Sequence, residues 1–235
     1  MNFARRSFLS LVVLLATGAI AQAGMITTYA DRPTFETALG GPITVETFTE
    51  VAHFPISTGI LNSSTNLVVD SGPPILPGDI KPGVTYSTAI GTGNFFNIDS
   101  GGGYVGGFLD GFAQLTYANA LTITFDNPVS GFGFDTNTLM GAGFDVTINF
   151  TSGPAYANTF AVAPNIAPLQ FFGFTSDMGD ISSAVILGKG NPTFSFALDN
   201  FTFGGGTVVP EPSSLALTAI GGLGLIGLAR RRRSA

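Results

Sequence analysis

The stretch "FDVTINF" sets the tightest limit on what this chain can fold into. Phe144, Val146, Ile148 and Phe150 alternate with Asp145, Thr147 and Asn149, and an extended strand is the element that sends successive side chains to opposite faces. One face is apolar and the other wet. The same period recurs in "ALTITFDNPVSGFGFDT", where Leu121, Ile123 and Phe125 precede an expected turn at Asn127-Pro128 and then Phe132 and Phe134. In "PTFSFALDNFTFG" the apolar positions are Phe194, Phe196 and Leu198, then Phe201 and Phe203. The alternation slips by one residue after Leu198, which predicts a β-bulge at Asp199-Asn200.

Further strands are expected at Ile43 to Thr49, Val84 to Ile90, Tyr104 to Phe108, Ala157 to Val162, Leu169 to Thr175 and Ala184 to Leu187. Short alternating runs separated by Gly, Pro, Asn and Asp predict an all-β body, an antiparallel two-sheet sandwich of jelly-roll-like form. The one helix expected is "DRPTFETALG", with Asp31 as its cap, Pro33 in the first turn and Gly40 at its end. Two segments read as irregular: Val69 to Gly83, with four prolines and three glycines, and the Gly-rich "GTGNFFNIDSGGGYVGG". The chain has 22 Phe, five Tyr and no Trp; Phe needs no hydrogen-bond partner, so a dry core is expected.

The body offers little for catalysis. The absence of cysteine removes disulfides, thiolate metal sites and a Cys nucleophile together. His53 is the only histidine, and no Gly-x-Ser-x-Gly elbow accompanies it, so a loop histidine is expected and not a triad member. Fourteen acids in the body permit many carboxylate pairs, but no spacing singles one out for glycoside hydrolysis. The Gly-rich segment lacks the Gly-Lys-Ser/Thr end of a phosphate loop. The expectation is a non-enzyme without a cofactor. Structural calcium is the alternative weighed for Asp199-Asn200, Asp126-Asn127 and Asp135, since hard oxygens at strand ends suit that ion; the competing reading is that Asp and Asn simply favour turns. "LDNFTF" is also similar to the final strand of many lectin-like and carbohydrate-binding sandwiches. A calcium-dependent carbohydrate-binding module is therefore the rival reading, ahead of a secreted hydrolase. Without Trp a strong sugar-stacking platform is not expected, which leaves weak contact through Asn, Asp and Tyr104. Asn62, Asn149 and Asn200 begin Asn-x-Ser/Thr triplets.

Charge divides the chain. From Gly24 to Val209 three basic residues (Arg32, Lys81, Lys189) face fourteen acidic ones, a net charge of −11. Such a body repels phosphate backbones, so no nucleic-acid partner is expected. Cations or neutral polysaccharide are the partners its field permits. The remaining basic side chains cluster at the ends, apart from the body. Arg5 and Arg6 precede a mostly apolar Phe8 to Ile20, and Ala21-Gln22-Ala23 supplies the small residues that a signal peptidase needs. Residues 1–23 thus read as a secretory signal cleaved between Ala23 and Gly24, with "ARRSFLS" leaving the twin-arginine route open beside the general one.

At the other end Ser213 to Ala229 carry no charge, about 26 Å as a helix. Arg230, Arg231, Arg232 and Arg233 follow, and cationic flanks stay on the cytoplasmic side. Both ends are therefore held inside while the middle crosses. Four glycines make the run a mediocre helix former, which suits a segment destined for removal. Pro210 and Pro212 keep the backbone around Glu211 extended and open to an enzyme.

Pro210-Glu211-Pro212, the apolar run and Arg230 to Arg233 together resemble the sorting tail of PEP-CTERM proteins. That resemblance covers about the last 26 residues and implies export by a Gram-negative bacterium that makes extracellular polysaccharide. It also implies recognition by exosortase, a membrane-embedded cysteine transpeptidase or protease, with cutting near the triplet. The resulting organisation is a signal peptide at 1–23, a β-sandwich at 24–206 and a sorting tail with its transmembrane helix at 207–235. The expected partners are signal peptidase and exosortase during export, the inner membrane transiently, and extracellular polysaccharide at the cell surface or in a biofilm matrix.

Overall fold

In the computed structural model, residues 24–48, 53–56, 60–68, 74–88, 94–99, 108–113, 120–137, 143–162, 169–189 and 197–205 are described; 53–56, 94–99 and 108–113 are described by backbone path alone. These residues form two antiparallel sheets and one short helix. The first sheet takes β1 (Ile26–Tyr29), β2 (Ile43–Glu46), β3 (His53–Ile56), β6 (Asn94–Asp99), β7 (Phe108–Ala113), β9 (Gly131–Asn137), β12 (Gln170–Ser176) and β14 (Ala197–Gly204). Its order is β1-β12-β9-β14-β7-β6-β3, with β2 also paired to β14. The second takes β4 (Ile60–Asn62), β5 (Val84–Thr88), β8 (Leu121–Val129), β10 (Gly143–Phe150), β11 (Tyr156–Phe160) and β13 (Ile181–Lys189), in the order β11-β10-β13-β8-β5-β4.

The period-two residues meet between the sheets. Phe132, Phe134, Phe174, Phe201 and Phe203 of the first sheet share one core with Tyr86, Ile123, Phe125, Phe144 and Ile148 of the second. Ring pairs bridge the layers: Phe125 and Phe132 at 5.9 Å between centroids, Phe134 and Phe144 at 5.6 Å, Tyr86 and Phe201 at 5.7 Å, Phe160 and Phe174 at 5.4 Å. Such pairs add about 0.5–1.5 kcal/mol each beyond the area they bury.

The expected turn at Asn127-Pro128 is corrected. Strand β8 continues through both residues to Val129. Its ladder with β13 jumps from Thr124↔Ser183 to Val129↔Ile181, so the intervening residues bulge outward, where a proline without an amide hydrogen is tolerated. The chain turns instead at Ser130, passing there from the second sheet into β9 of the first. Ser130 is tied at that corner, its N–H donating to Gly204 O at 3.1 Å and its carbonyl accepting from Ser176 N at 2.8 Å.

Other boundaries shift in the same way. Strand β7 begins at Phe108, and of the strand expected at Tyr104 to Phe108 residues 104–107 lie outside the described residues. Part of the Gly-rich segment, Asn94–Asp99, is strand β6 and not a loop. Residues 74–83 are irregular as expected, yet bury Ile75 and Ile80 in the core.

Helix α1 (Arg32–Leu39) forms where its caps predict. Asp31 accepts from Thr34 N at 2.9 Å, and Gly40 closes the helix at φ 64°. Phe35 and Leu39 pack with Phe171 on the outer face of the first sheet. Gly131 and Gly173 form the floor there, because a Cβ on Gly173 would lie 2.7 Å from Phe35 Cδ2 and one on Gly131 2.8 Å from Leu39 Cδ2. Gly173→Ala should therefore lift the helix and cost about 1–3 kcal/mol, read as a lower urea midpoint with an unchanged slope.

Candidate functional site

The bulge predicted at Asp199-Asn200 organises the most polar locus among the described residues. Strand β14 pairs with β9 along one edge, and the register shifts between Asp199 and Thr202. On the other edge Ala197 and Leu198 pair with β7, whereas Phe201 to Gly204 pair with β2. Asn200 absorbs the extra residue at φ 47°, a left-handed conformation that Asn tolerates better than most residues.

The bulge sets Asp199 opposite Asp135 of β9. Asn200 lies between them, its Nδ2 donating to Asp135 Oδ2 at 2.9 Å and to Asp199 Oδ2 at 3.0 Å. The Asn200 N–H donates to Asp199 Oδ1 at 2.6 Å. Arg32, the first residue of α1, completes the group: its Nη2 lies 3.0 Å from Asp135 Oδ2 and donates to Asn200 O at 3.0 Å. Its Nη1 donates to Thr202 Oγ1 at 2.5 Å and lies 3.6 Å from Glu36, and the guanidinium sits 4.6 Å from the centre of the Phe171 ring. Stacking and a fork of donors are what guanidinium does better than ammonium.

Two of the three calcium candidates, Asp199-Asn200 and Asp135, thus come together, while Asp126-Asn127 lies apart on the exposed β8 bulge. The cation beside the carboxylates is the protein's own Arg32. Among the described residues no group of three or more His, Cys, Asp and Glu side chains is placed to hold a metal. The two carboxylates share one amide group, within reach of the separations used in glycoside hydrolysis; Asn200 donates to both, and Arg32 pairs with Asp135. The arrangement ties helix to bulge and titrates.

Burial pushes the Asp199 carboxyl up to about 7, Asp135 adding to the rise while the Asn200 N–H and Arg32 oppose it. A carboxyl whose folded pKa lies above its unfolded one, about 3.9, stabilises the fold only while protonated. Stability should therefore fall as pH rises from about 4 to about 7 and level off above that. Asp199→Asn should flatten this slope and raise the melting temperature at pH 8 relative to the parent, as thermal unfolding across pH 4–9 would measure.

A second buried acid was not legible in the sequence. Glu46 is fully buried, Oε1 accepting from Phe48 N at 3.2 Å and Oε2 from Lys81 N at 2.7 Å. It stands opposite Phe201, yet in sequence it shares its parity with Thr44 while Ile43 and Val45 take the other, so alternation within β2 reads Glu46 as outward and gives no sign of its burial. Nearby, the Tyr86 hydroxyl is buried without a hydrogen-bond partner among the described residues, and burial with the Glu46 charge holds its pKa well above the ordinary value.

His53 opens β3 opposite Ile98, described by its backbone alone. Tyr104, Ala21, Ala23, Pro210, Glu211, Pro212 and Arg230 to Arg233 lie outside the described residues. Gly24 is described, lying against Ser176 and the Asp177–Asp180 turn. Among the described residues no helix is long and apolar enough to cross a membrane.

No curated protein matches the chain. Among solved structures, it is similar to the family 11 carbohydrate-binding module of a cellulosomal cellulase of Clostridium thermocellum, at 11% identity over 54% of this chain and 89% of that one, with a TM-score of 0.32. A family 29 carbohydrate-binding module from Piromyces equi gives 12% identity, 52% and 91% coverage and a TM-score of 0.31. The K2 cleaved adhesin domain of Lys-gingipain gives 14%, 69%, 99% and 0.32. Likenesses at these scores carry no argument about fold or ligand. The family comparison does identify the tail: residues 208–233, which include the triplet and all four closing arginines, match the PEP-CTERM protein-sorting motif. The chain carries a PEP-CTERM sorting motif in its C-terminal region.

Proposed function

We propose that this is an exported, exosortase-processed protein of the cell surface or biofilm matrix, whose non-catalytic, jelly-roll-like sandwich associates with extracellular polysaccharide. The sorting motif at 208–233 is the observation that carries this reading. In this account residues 1–23 leave as a signal peptide and Ser213 to Ala229 span the inner membrane transiently. Exosortase then cuts near Pro210-Glu211-Pro212, and the body of 24–206 is released or retained outside. Intact-mass analysis of the protein from exosortase-positive cells should find termini at Gly24 and near the triplet. A product still ending at Ala235 refutes the processing.

The polysaccharide part draws support from charge and from the outer face of the second sheet. Pairing register aligns Thr85, Thr124, Ser183 and Asn149 across four strands, with Ser87, Thr122, Val185 and Thr147 in the next row. Strands lie about 4.8 Å apart, so these rows offer closely spaced hydroxyls that both donate and accept, as sugar hydroxyls do. Asp145 and Lys189 on that side pair with each other at 2.9 Å. A neutral, hydroxyl-bearing face on an acidic body suits a neutral glycan and not an anionic one. Without aromatic stacking on these rows each contact is weak, and many displayed copies supply the avidity.

Retention of the full chain on immobilised dextran or cellulose should exceed that on alginate and should survive EGTA. A Thr122→Val, Thr124→Val, Thr147→Val variant should lose retention about a hundredfold, since it removes three hydrogen bonds that contribute about 1 kcal/mol each. Retention on neither neutral polymer removes the polysaccharide reading, and loss in EGTA transfers it to a calcium site.

A further inference from the structure

We propose that the α-ammonium created at Gly24 by removal of the signal peptide docks against the carboxylates of Asp177 and Asp180, so that cleavage itself supplies a missing contact of the fold. The inference rests on the reading of Gly24 as the mature N-terminus. The turn from Asp177 to Asp180 links β12 to β13, beside the strand that Gly24 leads into. Asp177 grips that strand twice: its Oδ1 accepts from Met25 N at 2.7 Å, and its own N–H donates to Met25 O at 3.3 Å. One residue earlier, a Cβ on Gly24 would lie 2.8 Å from Asp180 Oδ1 and 3.4 Å from Asp177 Oδ1, and would overlap Ser176 Oγ. A backbone nitrogen and the Cβ position of its residue are about 2.5 Å apart. The Gly24 nitrogen is therefore within about 6 Å of both carboxylates, the range in which an opposite charge shifts a titration.

Among the described residues these carboxylates have no cation of their own. Ser176 Oγ donates to Asp180 Oδ1 at 2.6 Å and accepts from Met178 N at 3.2 Å, which fixes the turn without neutralising it. The ion pairs among the described residues join Arg32 to Glu36 and Asp135, and Lys189 to Asp145. Lys81, the remaining basic residue of the body, meets Glu46 through its backbone N–H. The turn holds two acids three residues apart beside a backbone nitrogen, and that nitrogen is a neutral amide in the precursor and a cation in the mature chain. A side chain at position 24 would displace the Ser176 hydroxyl, and small residues are what the peptidase accepts on the other side of the cut. The precursor is accordingly less stable than the product, which favours threading through the membrane before folding.

The test compares the mature protein from its host with the same protein acetylated at its α-amine and with an Asp177→Asn, Asp180→Asn variant. The α-amine should titrate about one unit above its ordinary range of 7.7–8.0. An amine with a raised folded pKa stabilises fully below its unfolded pKa, and that contribution disappears as pH rises through the folded one. Acetylation should therefore lower the melting temperature at pH 7 by roughly 2–4 °C, have no effect at pH 10.5, and have no effect at either pH in the double variant. A mature chain that begins at Gly24 but whose amine titrates in the ordinary range, with acetylation leaving the melting temperature unchanged, overturns the docking alone. An N-terminus found elsewhere overturns both the docking and the signal-peptide reading. Should the double variant fail to fold, the titration and the acetylated parent still decide.

Discussion

Contact between phenylalanine rings across the gap between the sheets is what the rest of the structure depends on. With no cysteine in the chain, no disulfide substitutes for packing. Phe132, Phe134, Phe174 and Phe201 are fully buried and touch rings from the opposing layer. Rings without polar atoms leave nothing to be satisfied in the dry interior, and their edge and tilted contacts fix how the layers sit. Tyr86 and Glu46 sit together and bring polar atoms into this interior. The Glu46 carboxylate accepts the N–H groups of Phe48 and Lys81, joining the end of β2 to the irregular segment that carries Ile75 and Ile80.

Outside the core the sheets are treated differently. The first is covered by α1 and fastened by the Arg32, Asp135 and Asn200 group, where a bulge lets one strand serve two partners on a single edge. The second exposes rows of small hydroxyl side chains on its outer face. On that face the one charged pair among the described residues is Asp145 with Lys189.

Much of the fold was legible because alternation is local. "FDVTINF" shows its two faces without any knowledge of its neighbours, and the slip after Leu198 marks the bulge in the same way. Asp31, Pro33 and Gly40 define a helix by cap chemistry alone. The errors arose where long-range pairing decides. Asn127-Pro128 has turn composition, yet Asp126 finds Gly83 O at 3.0 Å and the strand continues to a corner at Ser130 that no local signal marks. Asn94–Asp99 lies among glycines, but pairing with β7 makes it a strand. At the candidate site, Asp199, Asn200 and Asp135 could be named from composition. Arg32 could not, because it lies 168 residues from Asn200 in the chain and only the packing of the helix brings it there.

The position of β14 has a mechanical consequence. The last described strand before the sorting tail lies inside its sheet, bonded to β9 on one side and to β7 and β2 on the other. Tension applied through the tail enters the body along a strand whose ladders on both edges must yield together. The load is shared in shear across neighbouring strands, where an edge strand would unzip one bond at a time. A pull on the C-terminal end of the body therefore meets the more resistant of the two geometries.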